Sequence, residues 1–385
     1  MIHYAHIVAP VTRHLLAMAV PDELHAALRL LASGNVLDSA VRLATQAGSQ
    51  AHHAYHAAQA LIAYANREPQ LTRKHLDAAL EMAPDDAVYH AFDATLRLGT
   101  DDAPGAVRAY RHALGIDPSL HVAHSLLWSA VDKIGKLDLA LAGLRALLRE
   151  HAMVDAHMEV RAERKARTEV ESTTLIVADC ANPDLALRAL RLSMRDLEFA
   201  AVKLFTDRDI DAPDIMVERI PTIRSHADYS RFIAKELLSR IDTEYVLVAQ
   251  WDGYVVDAKA WTPEFLLYDY VGARWDHAQM REEPHHNVGN GGFSLRSRTL
   301  LEALQDPHIA ELNPEDSAIC RRYRRYLEDR HGIVFAADDV ADRFSFEHLL
   351  PDDAPFGFHG VTNIARFTPL PGLPTLDYLF GPPSD

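Results

Sequence analysis

Three aspartates close apolar runs: Asp179 ends TLIVAD (174–179), Asp207 ends AAVKLFTD (200–207), and Asp252 lies in Gln250-Trp251-Asp252-Gly253 directly after YVLVA. A carboxylate emerging where a buried strand meets solvent suits a hard divalent cation, which takes oxygen ligands and would bridge a diphosphate there. Asp252 suits equally the start of a turn with Gly253. Downstream, Gly289, Gly291 and Gly292 cluster in VGNGGFSLRSRTLLEAL (288–304). They permit tight turns or close approach of a ligand, but neither a phosphate-cradling Gly-Lys-Ser/Thr nor a G-x-G-x-x-G pattern follows. Glu315 and Asp316 adjoin in NPEDSAICRRYRRYLEDRHG, and a carboxylate can serve as a general base. Asn313 as cap, Pro314 at the first helical position and two acids in the first turn also make an ordinary helix start. His359, in PFGFHGVTN, sits in a predicted turn.

Those residues need elements to hold them. From residue 174 short β runs alternate with helical stretches: strands at 174–179, 200–207, 215–221 and 244–256, helices at 185–197 and 230–241, and a helix over Ser294–Leu304 behind the glycines. Alternation of this kind predicts a largely parallel, covered sheet. In such sheets ligands bind outside the carboxyl ends of the strands, where Asp179, Asp207 and Asp252 fall.

The chain has 385 residues, enough for two or three domains, and its 48% hydrophobic and 24% charged residues are those of a globular protein. No stretch approaches the roughly 18–20 apolar residues of a membrane span, and the start carries no obvious secretory cleavage site. Two isolated cysteines, Cys180 and Cys320, predict a reducing, cytoplasmic setting. The net charge of −16 repels phosphate backbones, so nucleic acid is not an expected partner. An anionic ligand would need local positive charge or a metal ion.

The first half repeats. Pro84 in ALEMAPDD and Pro118 in ALGIDPSL stand 34 residues apart (118 − 84 = 34), the tetratricopeptide period. On that period Leu76 aligns with Tyr110 and Leu144, Ala79 with Ala113, and Thr72 with Ala106 and Ala140. Units are expected near 53–86, 87–120 and 121–154, with a degraded one near 19–52; such units need stacked neighbours to cover their apolar faces. His52, His53 and His56 read as helix surface, since no carboxylate or cysteine completes a metal set. The expected organisation is helical repeats over 1–156, a charged connector over 157–173 and an α/β domain over 174–385.

The order of the second-half motifs carries a resemblance. Q-W-D-G at a strand end, D-Y-V-G-A-R-W, V-G-N-G-G-F-S-L-R-S, P-E-D and F-x-F-H-G together resemble a bacterial and fungal domain family of unknown function. That family is similar to enzymes of the glycosyltransferase-A, Rossmann-like fold, over about residues 172–368 here. The resemblance implies sugar transfer from a nucleotide-sugar donor to a glycan, lipid-linked glycan or protein hydroxyl, with Mn²⁺ or Mg²⁺ as cofactor. It places Asp252 at the last acid of an Asp-x-Asp motif and His359 as the second metal ligand. Asp316, supported by Glu315, would be the general base. Asn290, Gly291, Gly292 and Phe293 would line the sugar and acceptor subsites, Trp275 would be a stacking wall, and Asp179, Gln250, Trp251 and Gly253 would border the donor. Gln250 replaces the first acid of the motif, which keeps open a non-catalytic sugar-nucleotide sensor, its repeats binding a protein partner. A two-carboxylate glycan hydrolase is the third reading.

Overall fold

The computed structural model describes residues 5–44, 52–159, 168–275, 287–348 and 354–382. The chain divides into two compact units, Met1–Leu144 with Thr368–Asp385, and Arg145–Phe367.

The first unit is helical. After α1 (Ala5–Ala17) come pairs: α2 (Asp22–Ala32) with α3 (Val36–Ala44), α4 (His53–Ala65) with α5 (Pro69–Met82), and α6 (Ala87–Gly99) with α7 (Ala103–Ile116). The last pair is α8 (His121–Lys133) with α9 (Leu137–Glu159). In the last three pairs first helices start at 53, 87 and 121 and second helices at 69, 103 and 137, so successive pairs there are displaced by 34 residues. Local chemistry sets these starts. The Asp86 carboxylate accepts the N–H groups of Val88 and Tyr89, Asp102 accepts that of Gly105, and prolines occupy the first turns of α5 and α7. Thr72, Ala106 and Ala140 are buried, as are Leu76, Tyr110 and Leu144, so the aligned positions are the ones that pack. His52 caps α4, His53 Nδ1 lies 2.9 Å from the Tyr89 hydroxyl and His56 meets His75. His53 and His56 thus contact neighbouring helices, and among the described residues no group of three His, Cys, Asp or Glu could hold a metal.

Residues 368–382, expected in the α/β domain, belong to the helical unit: Arg111 of α7 donates to the Thr375 carbonyl at 2.7 Å. Of the expected connector, 157–159 end α9, 168–173 begin a strand, and 160–167 lie outside the described residues. Among the described residues no helix is long and apolar enough to cross a membrane.

The second unit is built on a six-stranded sheet. It contains β1 (Thr168–Ala178), α10 (Pro183–Ser193), β2 (Leu197–Thr206), β3 (Met216–Arg219), α11 (His226–Arg231), β4 (Tyr245–Ala249), β5 (Tyr270–Gly272) and β6 (Ser294–Ser297). The order is β3-β2-β1-β4-β6-β5; β3, β2, β1 and β4 run parallel, and β6 is antiparallel to both β4 and β5. Five of the six strands therefore run in one direction, so the sheet is largely parallel as expected, and β6 alone, reversed between β4 and β5, makes it mixed. Thr173–Ala178 of β1 is continuously buried, as a central parallel strand must be. β1 leads to β2 on one side while β4 pairs on the other (Val177 beside Ala249), so the chain reverses its strand order between β1 and β4. That reversal opens a crevice at their carboxyl ends.

The structure departs from the local reading in three places. The expected helix 294–304 begins as β6, because Leu295 pairs beside Leu247 in the core; α12 (Arg298–Ala303) follows, capped by Ser297. The expected strand 244–256 stops at Ala249, where Gln250 and Gly253 close a turn by two backbone hydrogen bonds of 3.0 and 3.2 Å. Pro314, not Asn313, stands at the cap of the short α13 (Glu315–Ser317). α14 (Arg324–His331), α15 (Asp338–Phe344), the parallel pair β7 (Ser345–Phe346) and β8 (Gly357–Phe358), and α16 (Ile364–Phe367) complete the unit.

Candidate active site

Two pairs of parallel strands aim their ends at one place. The turn after β4 delivers Gln250 and Asp252. β7 and β8 run side by side, with Phe346 beside Phe358, so the residues just past them, Glu347 and His359, become neighbours. The His359 backbone N–H bonds the Phe346 carbonyl at 3.0 Å, and the Gly360 N–H bonds that of Asp252 at 2.9 Å. His359 thus joins both strand pairs.

The His359 ring is held on both nitrogens. Nδ1 lies 3.1 Å from Glu347 Oε1 and 3.2 Å from Asn290 Nδ2; Nε2 lies 3.2 Å from Gln250 Oε1 and 3.6 Å from Asp252 Oδ1. Asn290 donates to Glu347 at 2.7 Å and accepts the Gly292 N–H at 3.0 Å, with its backbone at φ 67°. Asp252 is buried, and among the described residues its Oδ1 has no hydrogen-bond partner. Burial raises the Asp252 pKa, against the pull of His359. Burial also works against the His359 charge, but Asp252 and Glu347 overcome it and push the imidazole up to about 9. Glu347 drops to about 2, because the hydrogen bond and charge of His359 outweigh its own desolvation.

The glycine loop fits this cluster closely. A Cβ on Gly292 would lie 2.1 Å from His359 Nε2, and one on Gly291 would lie 2.3 Å from Glu315 Oε1. Beneath the loop, fully buried Arg296 donates to Glu315 Oε1 at 3.0 Å, to Ser294 Oγ at 3.0 Å and to the Gly291 carbonyl at 3.4 Å. The Tyr270 hydroxyl donates to the Asn290 carbonyl at 3.0 Å. The Gly291 N–H points the other way, to Asp316 Oδ2 at 3.2 Å. The adjacent acids therefore separate: Glu315 is locked below the loop, and half-buried Asp316 lies on the side of His359, whose charge it supports.

The remaining expected residues divide. Asp179 accepts the N–H groups of Ala181 and Asn182 at 2.7 and 2.6 Å, and burial, with Asp252 nearby, raises its pKa. Trp251 lies under the Arg145 guanidinium at 5.2 Å. Trp275 packs against Gly289, with the Arg321 guanidinium 4.1 Å from its ring centre. Phe293 is fully buried between Phe344 and Phe356 in the core. Asp207 closes β2 instead, and the described contacts do not join it to His359. Glu347, Arg296 and Tyr270 were not expected. Only Glu347 had a usable signal, as an acid closing the apolar Phe344-Ser345-Phe346 run.

Asp252 Oδ1 and His359 Nε2 face one spot, and once Nε2 gives up its proton the two would fit a divalent cation completed by phosphate and water oxygens. Glu347 on Nδ1 is the orienting contact that metal-binding histidines use. No set of three His, Cys, Asp or Glu exists among the described residues, so such a cation would rest on few protein ligands.

Two expected outcomes follow from this geometry. Gly292→Ala must displace the His359 ring, and we expect ligand binding at the site to weaken about a hundredfold by titration calorimetry, with melting within a few degrees of wild type. Unchanged affinity would show that the loop and ring do not act together. For pH, folded His359 keeps its proton to about 9, against 6.5 for an ordinary imidazole. Its contribution is complete below pH 6.5 and lost as pH rises through 9. Thermal melts in chelator-treated buffer should fall across that window, and His359→Gln should flatten the fall; parallel profiles for the two proteins would refute the assignment.

Comparison with known proteins adds little to the geometry. Residues 214–359 match a family described as "Protein of unknown function (DUF5672)". No curated protein matches the chain. A mutant O-GlcNAc transferase from Thermobaculum terrenum is similar at 16% identity over 60% of this chain and 44% of its own, with a TM-score of 0.27. A mannosyltransferase from Pyrobaculum calidifontis, in complex with GDP-Man and Mn²⁺, is similar at 14% identity over 43% of this chain and 57% of its own, with a TM-score of 0.25. The chain spans about half the length of these solved glycosyltransferases, and likeness at such scores carries no argument about its reaction. What the chain shares by sequence with a described family is the segment 214–359, which holds the strand-end turn, the glycine loop, the acid pair and His359.

Proposed function

We propose that the α/β unit transfers a sugar from a nucleotide-sugar donor to a hydroxyl of a glycan, lipid-linked glycan or protein. One observation carries the reading: a buried carboxylate oxygen, Asp252 Oδ1, without a hydrogen-bond partner among the described residues and facing His359 Nε2 at the carboxyl ends of β1 and β4. Asp252 and His359 would hold Mn²⁺ or Mg²⁺, which supplies positive charge to the leaving diphosphate of an otherwise acidic protein. Asp316, oriented by the Gly291 N–H, takes the proton of the acceptor hydroxyl as that oxygen attacks the anomeric carbon and the nucleoside diphosphate departs. Asn290, Gly291 and Gly292 form the wall between donor and base, with Trp275 beside them; Asp179, Gln250, Trp251 and Gly253 border the donor. Glu315 holds the loop through Arg296 and takes no proton in this scheme. The helical unit is of tetratricopeptide type, and free, buried Cys180 and Cys320 fit a cytoplasmic setting.

Gln250 favours a second reading, a sugar-nucleotide sensor without turnover. Its neutral amide, which accepts from His359, adds no charge for a cation. Thermal shift with a panel of sugar nucleotides and Mn²⁺ tests donor binding, which both readings require. One donor should raise the melting temperature of wild type but not of Asp252→Asn. No shift with any donor would refute both, and a shift without product would leave the sensor.

A further inference from the structure

Arg111 of α7 is buried, and among the described residues its guanidinium is held by the segment 375–381. Nε donates to the Thr375 carbonyl at 2.7 Å, and Nη2 bonds the Gly381 carbonyl and Asp377 Oδ1, the latter at 3.2 Å. The guanidinium lies 5.1 Å from the Phe380 ring centre, and Lys136 Nζ also lies 5.1 Å from it. The Tyr378 hydroxyl donates to the Ala140 carbonyl at 3.2 Å, and its ring packs so closely on α9 that a Cβ on Gly143 would lie 2.5 Å away. Leu373 and Leu376 are buried.

Repeat packing does not demand these residues. One period earlier (111 − 34 = 77) the position of Arg111 is Asp77, a half-exposed residue paired with Arg73. Gly143 sits inside a helix, where glycine is less favourable than alanine. The segment they hold has little structure of its own: one turn, α17 (Asp377–Phe380), entered through Leu376 at φ 55°. A single turn is not stable alone, so the segment takes its shape from the surface. Two backbone carbonyls, one carboxylate and two aromatic rings are read by one arginine, one lysine and one glycine notch.

We propose that the face of α7 and α9 around Arg111 and Gly143 is a peptide-recognition site, occupied by the chain's own segment Leu373–Gly381. Its ligand class is a short acidic–aromatic peptide of the pattern Asp-Tyr-x-Phe. Tethering gives the segment an effective concentration in the millimolar range, so a free peptide of the same sequence meets a filled site.

The test uses the full chain and a fluorescein-labelled peptide of residues 372–382. Tyr378→Ala with Phe380→Ala weakens the tethered copy and leaves Arg111, Lys136 and Gly143 in place. Fluorescence anisotropy should show the double variant binding the peptide about tenfold or more tightly than wild type, and adding Arg111→Ala should abolish binding. Should the double variant fail to fold by circular dichroism, the wild type decides: excess unlabelled peptide should speed amide exchange across residues 373–381. Peptide binding that survives Arg111→Ala, or neither binding to a folded double variant nor faster exchange in wild type, overturns the proposal.

Discussion

Asp252→Asn is expected to lower nucleoside diphosphate release about a thousandfold while leaving the melting temperature within a few degrees of wild type. The first half of that outcome follows from charge. The substitution preserves shape but removes the anion facing His359 at 3.6 Å, and with it the only acid in the turn after β4. Losing one preorganised electrostatic group in a buried site costs roughly 10²–10³ in rate, and loss of the cation ligand adds to this. The second half follows from opposing terms. A carboxylate oxygen that no described residue hydrogen-bonds is costly to bury in its charged form, so the neutral amide relieves a desolvation penalty. Against this, His359 loses the first of the groups that hold its proton. Melting curves and a coupled diphosphate assay on the same preparations check both halves. Full turnover in the variant would remove Asp252 from the mechanism; a collapse in melting temperature would make it a folding residue.

Arg296→Met is expected to be the most destabilising single change in the α/β unit. Arg296 is fully buried, and its Glu315 partner is 5% exposed. Truncating one side strands a carboxylate in the core, a change worth about 3–5 kcal/mol or roughly 10 °C in melting temperature. The effect reaches the site, because the same guanidinium holds the Gly291 carbonyl, and Gly291 orients Asp316. A double-mutant cycle with Glu315→Gln separates the pair from its surroundings: the second substitution should recover part of the lost stability. A shift of less than 2 °C for Arg296→Met would show that Glu315 finds other partners.

Much of this was legible in the residues, for reasons that are local. Pro84 and Pro118 mark the turns of the 34-residue repeat, and the side chains of Asp86 and Asp102 satisfy N–H groups only two or three positions away. The apolar run 174–178 marks a strand covered on both faces, and Gln250-Trp251-Asp252-Gly253 marks its neighbour's end. What stayed hidden depends on distant partners. Ser294–Ser297 is a strand because of its antiparallel register with β4, and its four residues carry no period of their own. Glu347 joins His359 only because β7 and β8 pair, twelve residues apart. Phe293 follows a glycine loop, where a ring can face a ligand or the core; Phe344 and Phe356 decide for the core. Residues 368–382 follow the α/β unit in sequence yet pack on the helical unit, through an arginine more than 260 positions earlier.

The central claim is that Asp252, His359 and Asp316 form one site for glycosyl transfer, and a sugar-nucleotide panel assayed with Mn²⁺ and a mixed glycan acceptor tests it most directly. The account predicts that one donor yields nucleoside diphosphate and a glycosylated product, that Asp316→Asn retains donor binding but forms no product, and that Asp252→Asn loses both. Donor turnover untouched by either substitution, or no turnover with any donor in the panel, would contradict it.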